Sequence, residues 1–215
     1  VWEQEINVSN TQLFYSKQDR FGNSLIFPRQ LTFMVNESSR PNIMVDSSDK
    51  IHIFWNFADS GNGHVHYLKL DKLANILVNE TTLVQGYRPQ LAIDSQDNIH
   101  MLWKNGLFRH YMKLNNTGGA LLPSVDINAT SSNFDMNDAQ LVSDFLDNIH
   151  VVWEEELDIP GPDLHNIVYL KLNNVGVPIL GPQIIANGAG FEDDFSIDVD
   201  SQNNLFFVGE YKPNT

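Results

Sequence analysis

Apolar and polar residues alternate along most of this chain with a period of two, the pattern of a strand that buries one face. The alternation is plain in "NIMVD", "QLAID" and "FSIDV", and it tightens into near-continuous apolar runs in "IHIFW", "IHMLW" and "IHVVW". A further set, "HYLKL", "HYMKL" and "VYLKL", follows those runs after a loop. Turns rich in Asp, Asn and Ser punctuate the strands, as in "DSSDK", "DSQDN" and "DFLDN". No segment of useful length carries apolar residues at i, i+3, i+4 and i+7. The pattern therefore predicts an all-β chain with almost no helix.

The strands recur as a unit. "PNIMVDSSDKIHIFW" (Pro41 to Trp55), "PQLAIDSQDNIHMLW" (Pro89 to Trp103) and "AQLVSDFLDNIHVVW" (Ala139 to Trp153) align, with a weaker copy in "FSIDVDSQNNLFFVG" (Phe195 to Gly209). Asp46, Asp94, Asp144 and Asp200 fall in register at spacings of 48, 50 and 56 residues. Tyr67, Tyr111 and Tyr169 align in the following element, each two residues before a Lys. The first 35 residues match the second half of the unit, with Trp2 at the Trp55 position and Tyr15 and Lys17 in place.

Each unit reads as four short up-and-down strands, the signature of a β-propeller blade. One such sheet cannot bury both faces, so blades must stack, with the periodic aromatics between them. A β-sandwich would have no reason to repeat its sequence. Whole blades are expected over residues 40–86, 87–130 and 136–187, with part-blades over 1–35 and 191–215. Joining the ends gives a closed propeller of four blades. "VWEQE" and "FVGEY" both match strand two, however, so that blade would hold the strand twice. A segment of a longer propeller array, or strand exchange between copies through unpaired edge strands, stands beside the closed ring.

Charge and composition narrow the partners. A net charge of −14 and a pI near 4.6 leave no basic patch for counterion release, which argues against nucleic acid. The absence of Cys excludes disulfides, thiolate metal sites and thiol nucleophiles. No apolar run approaches the roughly 18 to 20 residues of a bilayer span, so no membrane insertion is expected within this chain. The sequence opens at Val1 without Met, as a processed chain or a window of a longer one would. Five N-x-Ser/Thr sequons, at Asn7, Asn36, Asn79, Asn115 and Asn128, point to an N-glycosylated, extracellular or cell-surface protein.

The alternating "VDSxDNIHxxW" followed by "YLKLNNxG" resembles the repeats of secreted and cell-surface propeller proteins, archaeal ones especially. More distantly it is similar to sialidase-like (BNR) propellers. That second resemblance would imply S-x-D-x-G-x-x-W boxes between strands three and four. The turns here read "LDKLAN", "LNNTGG" and "LNNVGV", so the boxes are missing. It would also imply three arginines for a substrate carboxylate, a Tyr nucleophile with a Glu partner, and an Asp acid/base. "SRPN" and "YRPQ" put Arg40 and Arg88 just before strand one in two blades, and "NDAQ" and "DDFS" replace them in the others.

Among candidate residues, His52, His100 and His150 share one repeat position and are read as scaffold, with ring nitrogens satisfied by nearby backbone. Trp55, Trp103 and Trp153 end strand two and are read first as packing anchors and second as a sugar-stacking platform beside Arg40 and Arg88. The irregular loops after them are where specific function would lie. Glu154, Glu155, Glu156 and Asp158 form a local acidic run, with Asp59 on an equivalent loop, and Glu154 is the candidate for ligand contact or acid/base work. "DVDSQNN" offers Asp198 and Asp200 to calcium but lacks the Gly and the distant Glu of a calcium loop, so hairpin turn is the first reading. No catalytic residue, metal or cofactor is assigned. The expected function is a non-catalytic extracellular propeller, structural, adhesive or self-assembling, with glycans, other surface proteins or its own copies as partners. The alternatives are a lectin-like propeller and a sialidase-like glycosidase or polysaccharide lyase.

Overall fold

A computed structural model of the chain describes residues 1–7, 10–59, 62–127, 134–157, 165–188 and 191–211. Among these are seventeen strands and no helix, which is the all-β architecture that the period-two pattern predicts. The chain divides into two compact units, Val1–Pro89 and Gln90–Thr215.

In the first unit, β1 (Trp2–Asn7), β2 (Asn10–Gln18) and β3 (Ser24–Gln30) make an antiparallel sheet in sequence order. A four-stranded antiparallel sheet follows from β4 (Ser38–Val45), β5 (Ile51–Asp59), β6 (Asn62–Leu70) and β7 (Ile76–Gln85). The two sheets pack through Leu13 and Tyr15 on one side and Ile51, Ile53, Trp55, Leu68 and Leu70 on the other, all buried.

The second unit takes in most of β8 (Tyr87–Ile93). With β9 (Ile99–Asn105), β10 (Phe108–Leu114) and the short β11 (Val125–Ile127), β8 forms one four-stranded sheet. β12 (Phe134–Ser143), β13 (Ile149–Leu157), β14 (His165–Leu172) and β15 (Pro178–Gly188) form the next, and β16 (Phe191–Val199) and β17 (Leu205–Tyr211) a two-stranded one. The middle of β13, Val151 to Trp153, is apolar on both sides because both sides are covered. Val151 and Trp153 meet Leu102 and Tyr111 of the preceding sheet, while Val152 packs with Ile167, Tyr169 and Phe195 toward β16. Burying each such side chain contributes roughly 2 kcal/mol, enough to hold sheets that none could stabilise alone.

One Asx device closes both hairpins of a unit. The Asp46 carboxylate accepts the Ser48 and Lys50 N–H groups, and Asp94, Asp144 and Asp200 repeat this at i+2 and i+4. Asp19, Asp71, Asn115 and Asn173 do the same between strands three and four. The turn needs a left-handed residue at i+3, supplied by Asp49, Asp97, Asp147 and Asn203 in the first set. In the second set Gly22, Ala74, Gly118 and Gly176 supply it.

Candidate functional site

At the turn end of each whole sheet, four repeated residues meet. His100 Nε2 lies 3.3 Å from Asp94 Oδ2 and its Nδ1 lies 2.7 Å from the Tyr111 hydroxyl, while the Lys113 ammonium reaches the same carboxylate at 2.8 Å. His52 with Asp46, Tyr67 and Lys69, and His150 with Asp144, Tyr169 and Lys171, repeat the arrangement within 3.3 Å. The chemistry fixes the tautomer: Nε2–H donates to the carboxylate, and Nδ1 accepts from the tyrosine O–H. The partners are side chains, not the backbone expected from the sequence. They could be reached only once register brought a Tyr on strand three opposite strand two.

Burial pushes His100 down to about 4, with the Lys113 charge acting in the same direction and the Asp94 hydrogen bond opposing it. Burial alone would raise Asp94. The donors from Lys113, Asn98 and His100 outweigh it and hold the carboxyl well below its usual range. Asp46 and Asp144 are held low in the same manner, and burial beside these carboxylates raises Tyr67, Tyr111 and Tyr169. Both ring nitrogens of each histidine are engaged by side chains of its own sheet, and each carboxylate also caps its turn, so these relays hold the blade together. In the two-stranded sheet Phe206 stands at the His position and is exposed, and only the Asp200 turn remains.

The opposite ends of the strands carry the residues nominated for binding. Trp55, Trp103 and Trp153 are buried, Trp55 and Trp153 between sheets of their own unit; Trp55 meets His66 and Trp103 stacks on His110. The Trp153 indole N–H donates to Glu155 at 2.9 Å. Arg40 and Arg88 both adopt left-handed backbone, at φ 50° and 56°, immediately before a proline. Each costs about 1–3 kcal/mol in strain. Polar partners restrain them: the Arg40 N–H donates to Glu3 and the Arg88 N–H to Asn56 Oδ1, beside Trp55. These arginines and Trp55 belong to the first unit, and Trp103, Trp153 and Glu154 to the second.

The repeat itself shows where the blades differ. Directly after each Trp comes a buried polar slot, filled by Asn56, Lys104 and Glu154 in turn, so that one place is neutral, cationic and anionic in successive blades. Two residues before the relay tyrosine comes a second slot, filled by Val65, Arg109 and Ile167. Arg109 is 0% exposed where its counterparts are aliphatic, and nothing about a blade requires a guanidinium there. Lys104 and Arg109 face each other across β9 and β10, on the side of that sheet that carries Leu102 and Tyr111. That side packs on the side of the next sheet that bears Trp153 and, two residues on, the buried Glu155. On the reverse of β13, Glu154 Oε1 meets Nδ1 of His165 at the head of β14, 2.6 Å away. Arg109 and His165 are the residues that the sequence reading passed over. The available signal was Arg109's departure from an otherwise aliphatic column.

Several other nominations resolve into local roles. The Asp200 carboxylate is engaged by Gln202 and Asn204, and Asp198 by the Val199 N–H. Among the described residues no group of three or more His, Asp or Glu is placed to hold a metal ion. Asn79 is exposed on β7, Asn36 is half-buried, and Asn115 caps its own turn. Asn7 ends β1, while Asn128 and Asp158 lie outside the described residues, as does the side chain of Asp59.

No family model matches the chain, and no curated protein does. Solved structures do. An endo-arabinase from Bacteroides thetaiotaomicron is similar over 99% of this chain and 84% of that one, at 12% identity and a TM-score of 0.58. A polysaccharide lyase of family PL25, an ulvan lyase bound to -[GlcA(1-4)Rha3S]-, is similar over 98% of this chain at 12% identity and a TM-score of 0.67. The chain spans 58% of that lyase's length. The Dos1 propeller is similar over 90% of this chain and 59% of its own, at 8% identity and a TM-score of 0.50. Identities this low speak to architecture alone. Together with three four-stranded antiparallel sheets built on one repeated sequence, they make this chain a β-propeller of four-stranded blades.

Proposed function

We propose that this chain is a carbohydrate-active propeller module that holds an acidic polysaccharide at the loop ends of the second unit's strands and cleaves it by β-elimination. The observation that carries the reading is a set of blade-specific buried ionisable residues, Lys104, Arg109 and Glu155 toward the side of β13 that bears Trp153, and Glu154 on its reverse, at repeat positions where the first unit has Asn56, Val65 and Phe57. Desolvated charge is costly, and a fold that manages without it in one blade keeps it in others for a reason other than stability. Buried near the strand ends, Lys104 and Arg109 favour a polyanion through their field rather than by contact, and a carboxylate-held imidazole suits proton transfer. The likeness to a lyase bound to a glucuronate-containing glycan supports the same substrate class. An extracellular location fits such a polymer, and the exposed sequon at Asn79 agrees with it.

The test uses the residue that a sister blade already tolerates. Arg109→Ile recreates the Ile167 environment and should keep the fold by circular dichroism, yet weaken binding of a uronate polymer by at least about tenfold in calorimetry. Wild-type protein should release unsaturated uronyl ends, read by ultraviolet absorbance. Equal binding by Arg109→Ile and wild type would refute the site. One observation favours a second reading, a non-catalytic surface module: Glu155 accepts the Trp153 N–H and so takes part in packing between sheets. That reading predicts that Arg109→Ile and Glu155→Gln change melting temperature without changing any glycan interaction.

A further inference from the structure

We propose that His165 is the proton-transfer residue of this chemistry and that Glu154 positions it, an assignment that rests on the lyase reading above. Five of the other six histidines serve as internal controls. His52, His100 and His150 have both ring nitrogens bonded inside the sheet, and His66 is held between Glu80 and Thr82. His110 pairs with Asp126, whose side chain is 66% exposed, so water competes for that contact. His165 differs from all of these. Its Nδ1 lies 2.6 Å from a carboxylate whose side chain is 1% exposed, its own side chain keeps 14% exposure, and Nε2 has no partner among the described residues.

The strands explain the placement. Glu154 continues the side of β13 that carries Val152, and His165 precedes Ile167 on the facing side of β14, so an apolar floor of Val152, Ile167, Tyr169 and Phe195 lies beneath the pair. The floor locks the carboxylate, and the carboxylate locks the tautomer. With Nδ1–H donated to Glu154, the Nε2 lone pair is the basic site, on a side chain that keeps 14% exposure at the first residue of β14.

The reaction then balances without a co-reactant. Nε2 takes the proton from C5 of a uronate residue, and the C5–H electron pair becomes the C4–C5 double bond. The bond from C4 to the glycosidic oxygen breaks, its electrons leave with that oxygen, and the oxygen takes the proton back from Nε2–H. Glu154 stabilises the transient imidazolium through the bond to Nδ1. Proton transfer of this kind is worth about 10²–10⁴ in rate.

Two measurements on the intact chain test it. Diethyl pyrocarbonate followed by peptide mapping should acylate His165 about tenfold faster than His52, His100 or His150, and Glu154→Gln should slow His165 by about tenfold while Glu154→Asp restores it. On a uronate polymer, His165→Gln and His165→Asn should lower kcat by about 10²–10⁴ and leave KM within about twofold. Slow acylation of His165 in wild-type protein overturns the dyad whatever the substrate. If wild type depolymerises uronate and both His165 variants keep its kcat, the dyad falls and the lyase reading stands. If His165 acylates fast but no uronate polymer is cleaved, the lyase reading falls and takes the elimination step with it.

Discussion

Between about pH 7 and pH 4 the second unit is expected to lose stability through buried imidazoles, His100 foremost, before the relay carboxylates titrate. His100 is fully buried between Asp94 and Tyr111, and its folded pKa is about 4 against 6.5 for the free side chain. Between those values the unfolded chain binds a proton that the folded chain refuses. Stability is therefore whole above about pH 6.5 and falls as acid is added. The difference in proton affinity gives a ceiling of about 3 kcal/mol, of which about 2 kcal/mol is gone by pH 5. That is a large share of a domain's usual margin of about 5–15 kcal/mol. Urea titration followed by tryptophan fluorescence reads it as a midpoint lowered by about 1 M at an m-value of about 2 kcal/mol/M. His100→Gln keeps a donor for Asp94 and cannot be protonated, so its midpoint should fall by less than that of wild type, keeping only the share due to His150, which burial also lowers. Asp94 and Asp144 are depressed carboxylates whose contribution is present above their ordinary range and lost below it, so they deepen the loss only at more acid pH. A wild-type midpoint unchanged from pH 7 to pH 5, or an equal fall in His100→Gln, would show that the relay does not hold His100 neutral.

Other expectations follow from the same packing. Gly176→Ala should cost about 2 kcal/mol in thermal or urea unfolding, because φ is +75° there and an added Cβ would sit 2.7 Å from the Tyr111 ring. Trp153→Phe should cost about 1 kcal/mol more than Trp55→Phe. The first leaves the buried Glu155 without its indole donor, whereas the Trp55 N–H has no acceptor among the described residues. In a secretory host, Asn79→Gln should lower the intact mass by one glycan, since Asn79 is exposed on β7; an unchanged mass removes that site.

Sequence alone reveals whatever depends on local periodicity. The period-two runs give strands, the Asx turns give hairpins, and the recurrence gives blades, because each is set by residues within a few positions of one another. It does not reveal what depends on register. Asp94, His100, Tyr111 and Lys113 are each repeat constants, yet their meeting needs Tyr111 opposite Leu102 and Lys113 opposite His100, a pairing that loop lengths hide. The stacking of sheets is hidden more deeply. Trp153 reads as anchor first and platform second, and only its cover of Leu102 and Tyr111 decides for the anchor.

The repeat supplies a criterion that composition and motif matching lack. Columns that stay constant across the blades, such as Asp46, Asp94 and Asp144 or Tyr67, Tyr111 and Tyr169, are bonded to other constant columns in the same sheet, so one physical cause accounts for all copies. Columns that are buried but change character demand a cause belonging to one blade. Asn56, Lys104 and Glu154 form such a column, and Val65, Arg109 and Ile167 another. A surface column that varies means little, because water accepts any residue. A buried column that trades an aliphatic for a guanidinium accepts a desolvation cost that its sister blades avoid. Suspicion of function therefore shifts from the repeated His and Trp to Arg109, Glu154 and, through its bond to Glu154, His165.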